Sequence, residues 1–521
     1  MNFFLSLLKN IQINMPQSIV YTSIEGAVSD ATITLGSTSY GTDNTTILQA
    51  ILNKALTGPL IIFWDGKYSV SNTLKIYSNT TIYFLSGCGI IARPLMDKAI
   101  FMNANPSTTT THTDKNISFL GVDYIINGNG QNQTHHNTTV GWINPIKIIG
   151  ADHITVKGMT IITPRTFHIW FMNCNYITIE DLYLDYGPGV NATDVFGNFD
   201  GVHINGPSQF INILNCTTRT FDDCIALNAD DIWQNTNPTG IANGQSSYDP
   251  YACYGDITDV NINNITLMPG SGFGFRLLSA ASGIDRVHIS NVKGSTILQA
   301  FIIDNWHDGA AAHTGVGNIG EVVLQNISLE VLPNGSGYFY KNCYINIGCV
   351  IKKLTITNMT RKDFTATTYP TINIDSFASV ENLTINNLTH TTGVTSNQAI
   401  VLDGVVKNLT INNAYLNRYS GGQITFPLVK ITTNGNCKRL QLSNIDWNNA
   451  DNVIEYSAGN VDYISATNLA HISNTGTLNI ASGKTLKDYV LSNYYGGTRT
   501  IGSGTITGSR GDGFTGTLPT A

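Results

Sequence analysis

Three acidic residues stand out by type and spacing: Asp200 in NFDGVHIN, then Asp222 and Asp223 in FDDCIALN. All three fall inside one stretch, Asn198–Asp231. Crowded carboxylates raise one another's pKa, so a cluster of them is costly unless it is used. The two common uses are acid/base chemistry on a sugar and coordination of a metal. A general acid needs a raised pKa, and crowding among Asp200, Asp222 and Asp223 would supply it.

Such chemistry requires that the acids meet in space. Each motif runs from an acidic residue into a short strand-like segment, DGVHIN after Asp200 and DCIALN after Asp223. Their offset equals one plausible coil of a parallel β-helix, which would stack the acids on one edge. The rest of the chain supports that reading. A pattern of apolar, any, apolar, any, then usually Asn, then apolar recurs from Ile117 as ISFLGV, Ile154 as ITVKGM and Ile177 as ITIEDL. It continues as INILNC from Ile211, VNINNI from Val260, VHISNV from Val287 and VVLQNI from Val322. LTITNM from Leu354, LTINNL from Leu383, LTINNA from Leu409 and LQLSNI from Leu440 complete the series. Repetition at roughly 20–50 residues marks a solenoid. The alternating apolar residues point inward and the Asn takes the bend, since Asn tolerates left-handed backbone. Asn215, Asn264, Asn291, Asn326, Asn358, Asn387, Asn413 and Asn444 are therefore expected to stack into a ladder.

The expected fold is all-β, a right-handed parallel β-helix with a short N-terminal capping helix. The segment Gly41–Leu56 is the clearest helix, capped by Asp43 or Thr45, with Ile47, Leu48, Ile51, Leu52 and Leu56 as its apolar face. Residues 1–40 read as an N-terminal segment, 41–458 as the catalytic β-helix, and 459–521 as a Gly/Thr-rich cap or oligomerisation element. Charged residues make up only 12% of the 521 residues and the net charge is −7, which argues against a nucleic-acid partner. The apolar N-terminus MNFFLSLLKNIQ lacks a basic leader and a cleavage site, so it is no clear signal peptide, and no stretch suits a membrane span. The eight Cys form no CxxC pair and read as small buried hydrophobes. No cofactor or metal is expected.

With these residues in view, the chain resembles the polygalacturonase family of glycoside hydrolases. NFDG is similar to the family's N-x-D-G, FDDCIALN to G-D-D-C-I-A-I-N, and INGNGQ (Ile126–Gln131) to D-G-x-G. The resemblance covers roughly residues 41–310. It implies the right-handed β-helix and an inverting hydrolysis, with Asp222 as general acid and Asp200 and Asp223 activating water. Coil spacing of about 4.8 Å does not itself imply inversion, because it is nearer the short carboxyl gap of retaining enzymes. Two family motifs fail. Gly270-Ser271-Gly272 stands at the place expected for G-H-G, and Phe301-Ile302-Ile303 at the place expected for R-I-K. The family grips the substrate carboxylate with those basic groups, so ordinary galacturonan is an unexpected substrate. Helix-then-solenoid order also resembles phage tailspike depolymerases, which cut bacterial capsule or O-antigen. That implies a polysaccharide partner, a possible homotrimer and an extracellular or virion location.

Expected substrate-binding residues are Arg276 and His203, both of outward parity, and Asp304, Trp306 and His307 in IIDNWHDG. The insertion Ala229–Asp256, with Trp233, Tyr248, Tyr251 and Tyr254, reads as a cleft wall. Two other readings stay open at this point. A polysaccharide lyase would use Arg276 or Arg219 as base with calcium on carboxylates, which Asp230 and Asp231 could join. A non-catalytic spike would only bind glycan.

Overall fold

The computed structural model describes residues 18–33, 39–134, 143–187, 199–230, 253–305, 315–331, 343–363, 370–392, 399–418, 427–447, 452–456, 460–470, 477–480, 485–492 and 505–506. Trp306, His307, Asp231, Trp233, Tyr248 and Tyr251 lie outside the described residues.

The apolar alternation forms strands that pair in parallel, each with its counterpart one coil away. Ile177 pairs with Ile211, Ile211 with Val260, Val260 with Val287, and Val287 with Val322. Ladders of this kind run onward through Leu354, Leu383, Leu409 and Leu440. The result is a right-handed parallel β-helix, with one continuous core of Ile, Val, Leu and Phe threading its interior. From Ile257 onward each coil contributes a longer, bent strand and a short strand, whereas earlier coils such as Val202–Asn205, Ser208–Leu214 and Thr217–Arg219 use three short ones.

The bend is where the Asn ladder forms. All eight predicted Asn residues have φ between 53° and 58°. Asn264 Nδ2 donates to Asn215 Oδ1 at 2.8 Å, Asn358 to Asn326 at 2.8 Å, Asn387 to Asn358 at 2.7 Å and Asn413 to Asn387 at 2.9 Å. The ladder slips one residue at Asn291, which donates to Asn263 instead, and at Asn444, which donates to Asn412.

The helix is shorter than the sequence pattern suggested, Thr45–Leu52, and a 3-10 turn continues it over Asn53–Thr57. Asp43 Oδ1 accepts from the Thr45 backbone N–H at 3.0 Å. Leu48, Ile51 and Leu52 join the core, but Leu56 is 66% exposed because the change of helix type rotates it outward.

The ladder does not stop where the composition changes. Ser18–Tyr21 already pairs in parallel with Leu60–Phe63, and Val461–Thr467 pairs with Leu486–Ser492. Parallel pairing thus continues on both sides of residues 41 and 459, since backbone pairing is indifferent to Thr and Gly content. All eight cysteines are free, seven of them buried.

Candidate active site

Asp200 precedes the strand Val202–Asn205, and Asp223 opens the strand Asp223–Asn228. These strands are stacked neighbours, with Val202 opposite Ile225 and His203 opposite Ala226. The next coil brings Phe273 opposite Asp223 and Arg276 opposite Ala226. Backbone bonds hold the corner: Gly201 N–H donates to the Asp223 carbonyl at 2.9 Å, and Phe273 N–H to the Asp222 carbonyl at 3.1 Å. Glycine at 201 is needed for this approach, because a Cβ there would lie 2.3 Å from the Cys224 carbonyl oxygen.

The proposition that stacked coils bring the acids together therefore holds. One carboxylate oxygen from each of Asp200, Asp222 and Asp223 lies within 4.8 Å of the others. Asp200 and Asp223 are 2% and 3% exposed, whereas Asp222 keeps part of its surface open. Burial raises the Asp222 carboxyl to about 7; Asp200 adds to the shift, while Arg276 and His203 oppose it. Burial also holds Asp223 well above the usual carboxylate range, reinforced by Asp222 and Asp200. The arrangement favours retention of a proton within the trio near neutral pH, and Asp222 is the member of the trio that reaches solvent.

His203 Nδ1 lies 2.5 Å from Asp200 Oδ2, so the imidazole donates to that carboxylate. Its ring stacks on Phe167 at 4.0 Å and meets Trp170 edge-on. At 2% exposure His203 is a partner of Asp200 rather than an open sugar contact. Its parity is outward as expected, but a layer formed by Phe167, Trp170, Ile149, Met172 and Cys253 covers the sheet there. Arg276 sits one coil above the acids and donates from Nη2 to Asp304 Oδ2 at 3.0 Å, both side chains being mostly buried. Arg276 and Asp304 thus share one site, as their registers imply.

Several neighbours escaped the sequence reading. Trp170 lies opposite His203 and donates from Nε1 to Asn205; Lys147 Nζ rests 4.5 Å from the Trp170 ring centre. Burial lowers the Lys147 amine to about 7. The signal was available in principle, since Lys147, Trp170 and His203 share one outward parity once strand register is known. On the other flank Tyr186 stacks on Phe221 at 3.7 Å, and Arg219 clamps Asp185 with bonds of 2.9 and 2.7 Å.

That clamp bears on the lyase reading. Asp185 pushes the Arg219 pKa further up, and Arg276 is paired, so neither guanidinium is prepared to accept a proton. Asp230 Oδ2 accepts three backbone N–H bonds, from Ala280, Ala281 and Ser282, which commits it to the loop and not to the trio. The trio's oxygens do span the width of a calcium shell, whose bonds are about 2.4 Å each. Asp200 is, however, already engaged by His203.

Residues 101–363 match the sequence profile of Glycosyl hydrolases family 28. An exopolygalacturonase of Arabidopsis thaliana is 23% identical over 222 residues, 41% of each chain. The chain spans about two fifths to one half of the length of the plant exopolygalacturonases it matches. A mutant tailspike protein of E. coli bacteriophage HK620 aligns with a TM-score of 0.56 at 13% identity, covering 91% of this chain and 78% of that one. An exopolygalacturonase of Thermotoga maritima aligns at 0.51 and 11% identity, covering 80% and 96%. At such identities the structural likeness speaks to the fold, and the profile match speaks to descent: this chain belongs to family 28 of the glycosyl hydrolases.

Proposed function

We propose that the protein hydrolyses glycosidic bonds in a polysaccharide, with Asp222 as general acid and Asp200 and Asp223 as the pair that activates water. The observation that carries this reading is the division of labour within the trio: a partly open acid raised toward neutrality beside two buried carboxyls. Asp222 passes its proton to the glycosidic oxygen as the bond from the anomeric carbon breaks, and that oxygen keeps the bonding electrons. A water on the opposite face attacks the anomeric carbon and gives its proton to the Asp200–Asp223 pair. The configuration inverts, in keeping with the family resemblance. His203 orients Asp200 through the hydrogen bond between them.

Arg276 and Asp304 bind substrate one coil above the acids. Ser271, Phe301 and Ile303 stand where the resemblance expects the basic carboxylate-gripping groups, so the substrate is not plain galacturonan. A bacterial capsule or O-antigen fits this altered site, and an extracellular or virion-associated homotrimer is the setting that the tailspike-like fold suggests. The catalytic unit lies within residues 41–458.

Release of reducing ends from a panel of such polysaccharides tests the reading. Wild type is expected to release them from at least one, and Asp222→Asn to release none. Products that absorb in the ultraviolet would instead mark a lyase. Failure of wild type on every glycan, with binding retained, would favour the non-catalytic spike.

A further inference from the structure

A second feature lies around the corner from the acids, at the same level of the rod. One turn position recurs in successive coils as Asn79, Asn116, His153, Tyr176, Phe210, Asp259 and Arg286, every one with φ between 53° and 59°. Left-handed backbone disfavours side chains other than Gly, Asn and Asp by roughly 1–2 kcal/mol. Asn fills the position in the first two coils and Asp in the coil after Phe210, yet three consecutive coils carry rings. Those rings form a parallel strip: His153 to Tyr176 is 4.6 Å with planes 10° apart, and Tyr176 to Phe210 is 4.8 Å with planes 12° apart. The strip is not buried for stability, since Tyr176 is 48% and Phe210 40% exposed.

A row of short polar side chains runs beside it. Ser118, Thr155, Thr178 and Asn212 are paired in register on successive strands. Together with the rings they line an open groove of 390 Å³. Its size is within the range of small-ligand sites, about 300–1,000 Å³. Among the described residues no Asp, Glu, Lys or Arg lines it.

We infer that this groove is a second carbohydrate site, separate from the acid cluster, which takes an uncharged stretch of the polysaccharide. Sugar rings offer an apolar C–H face to aromatic carbons and hydroxyls to a neutral row of donors and acceptors. A second copy of the chain suits it less well, because a stable protein interface needs about 800 Å² per partner and avoids burying a polar row without partners. The site goes beyond the hydrolytic reading: it anchors the polymer and performs no bond chemistry.

The test uses the full-length Asp222→Asn protein in affinity gels containing purified capsular polysaccharides, O-antigens, polygalacturonate or a neutral galactomannan. Tyr176→Asn/Phe210→Asn is compared in that background. Asn occupies the same turn in neighbouring coils, so the substitution relieves backbone strain and keeps the fold. At least one polysaccharide is expected to retard Asp222→Asn, and the double substitution to weaken retention by about tenfold or more, two ring contacts being removed. With Asp222 intact, the double variant should cleave short oligosaccharides at the wild-type rate and long polymer more slowly. Unchanged retention, a lack of retention by any polysaccharide, or a change of oligomeric state in place of binding would overturn the inference. If wild type releases no reducing ends while ring-dependent retention persists, the second site stands and the hydrolase proposal falls.

Discussion

Asp222→Asn separates chemistry from stability in a way that the acid trio makes quantitative. Burial pushes the Asp222 carboxyl in the folded chain up to about 7, against an ordinary value of 3.8. A carboxyl raised in this way leaves folding unaffected below the unfolded value, where both states are protonated. Between pH 4 and 7 the unfolded chain ionises first, so the folded state loses stability as pH rises, and the full penalty is present above 7. A rise from 3.8 to about 7 would correspond to about 4 kcal/mol, at about 1.36 kcal/mol for each tenfold change in acidity. Partial exposure and sharing of the proton with Asp223 reduce that to about 1–3 kcal/mol. Asn keeps the shape and removes the charge. The variant is therefore expected to match wild type near pH 4 and to melt about 1–4 °C higher at pH 8. Hydrolysis should fall by about 10²–10⁴-fold, the usual worth of a general acid. Wild-type activity should decline as pH rises through 7. Calorimetry at the two pH values and a reducing-end assay read both effects. Hydrolysis within tenfold of wild type, or a lower melting temperature at pH 8, would refute the assignment of Asp222 as a strained general acid.

His203→Ala leaves Asp200 buried without its imidazole, so stability is expected to drop by about 1–3 kcal/mol. Turnover should fall far more than KM changes, because the residue positions Asp200 and does not touch sugar; steady-state kinetics decides. In the Asn ladder, Asn358→Ala loses both amide bonds and keeps an unfavourable φ of 55°, so denaturant melts should show a loss of about 1–3 kcal/mol. Asn358→Gly should recover the conformational part alone; equal losses for the two variants would show that the backbone conformation is immaterial. Prolonged chelation is expected to leave hydrolysis unchanged, and loss of activity restored by calcium would replace the acid/base reading with a metal one.

Much of this molecule is legible in its amino-acid sequence. The repeat could be read because each coil solves the same local problem: apolar residues at alternate positions for the core, and Asn where the backbone must turn left-handed. Asp200, Asp222 and Asp223 could be read because coil stacking converts sequence offset into proximity, so two D-x-strand motifs one coil apart must meet. His203 shows where that reasoning ends. Its outward parity was right, yet it lies buried against Asp200, since a second apolar layer lies over that face. Its members, Phe167, Trp170, Ile149, Met172 and Cys253, come from separate coils and loops, and no local pattern announces them.

Sequence alone, then, determined the winding, the bend residues and the meeting of the acids, because each depends on periodicities carried within one coil. Tertiary structure decided which acid reaches solvent, which cations are already paired, and that three rings in consecutive turns line an open groove. Those properties depend on what lies across from a residue rather than beside it in the chain. Burial and pairing are sums over neighbours that only the closed stack brings together.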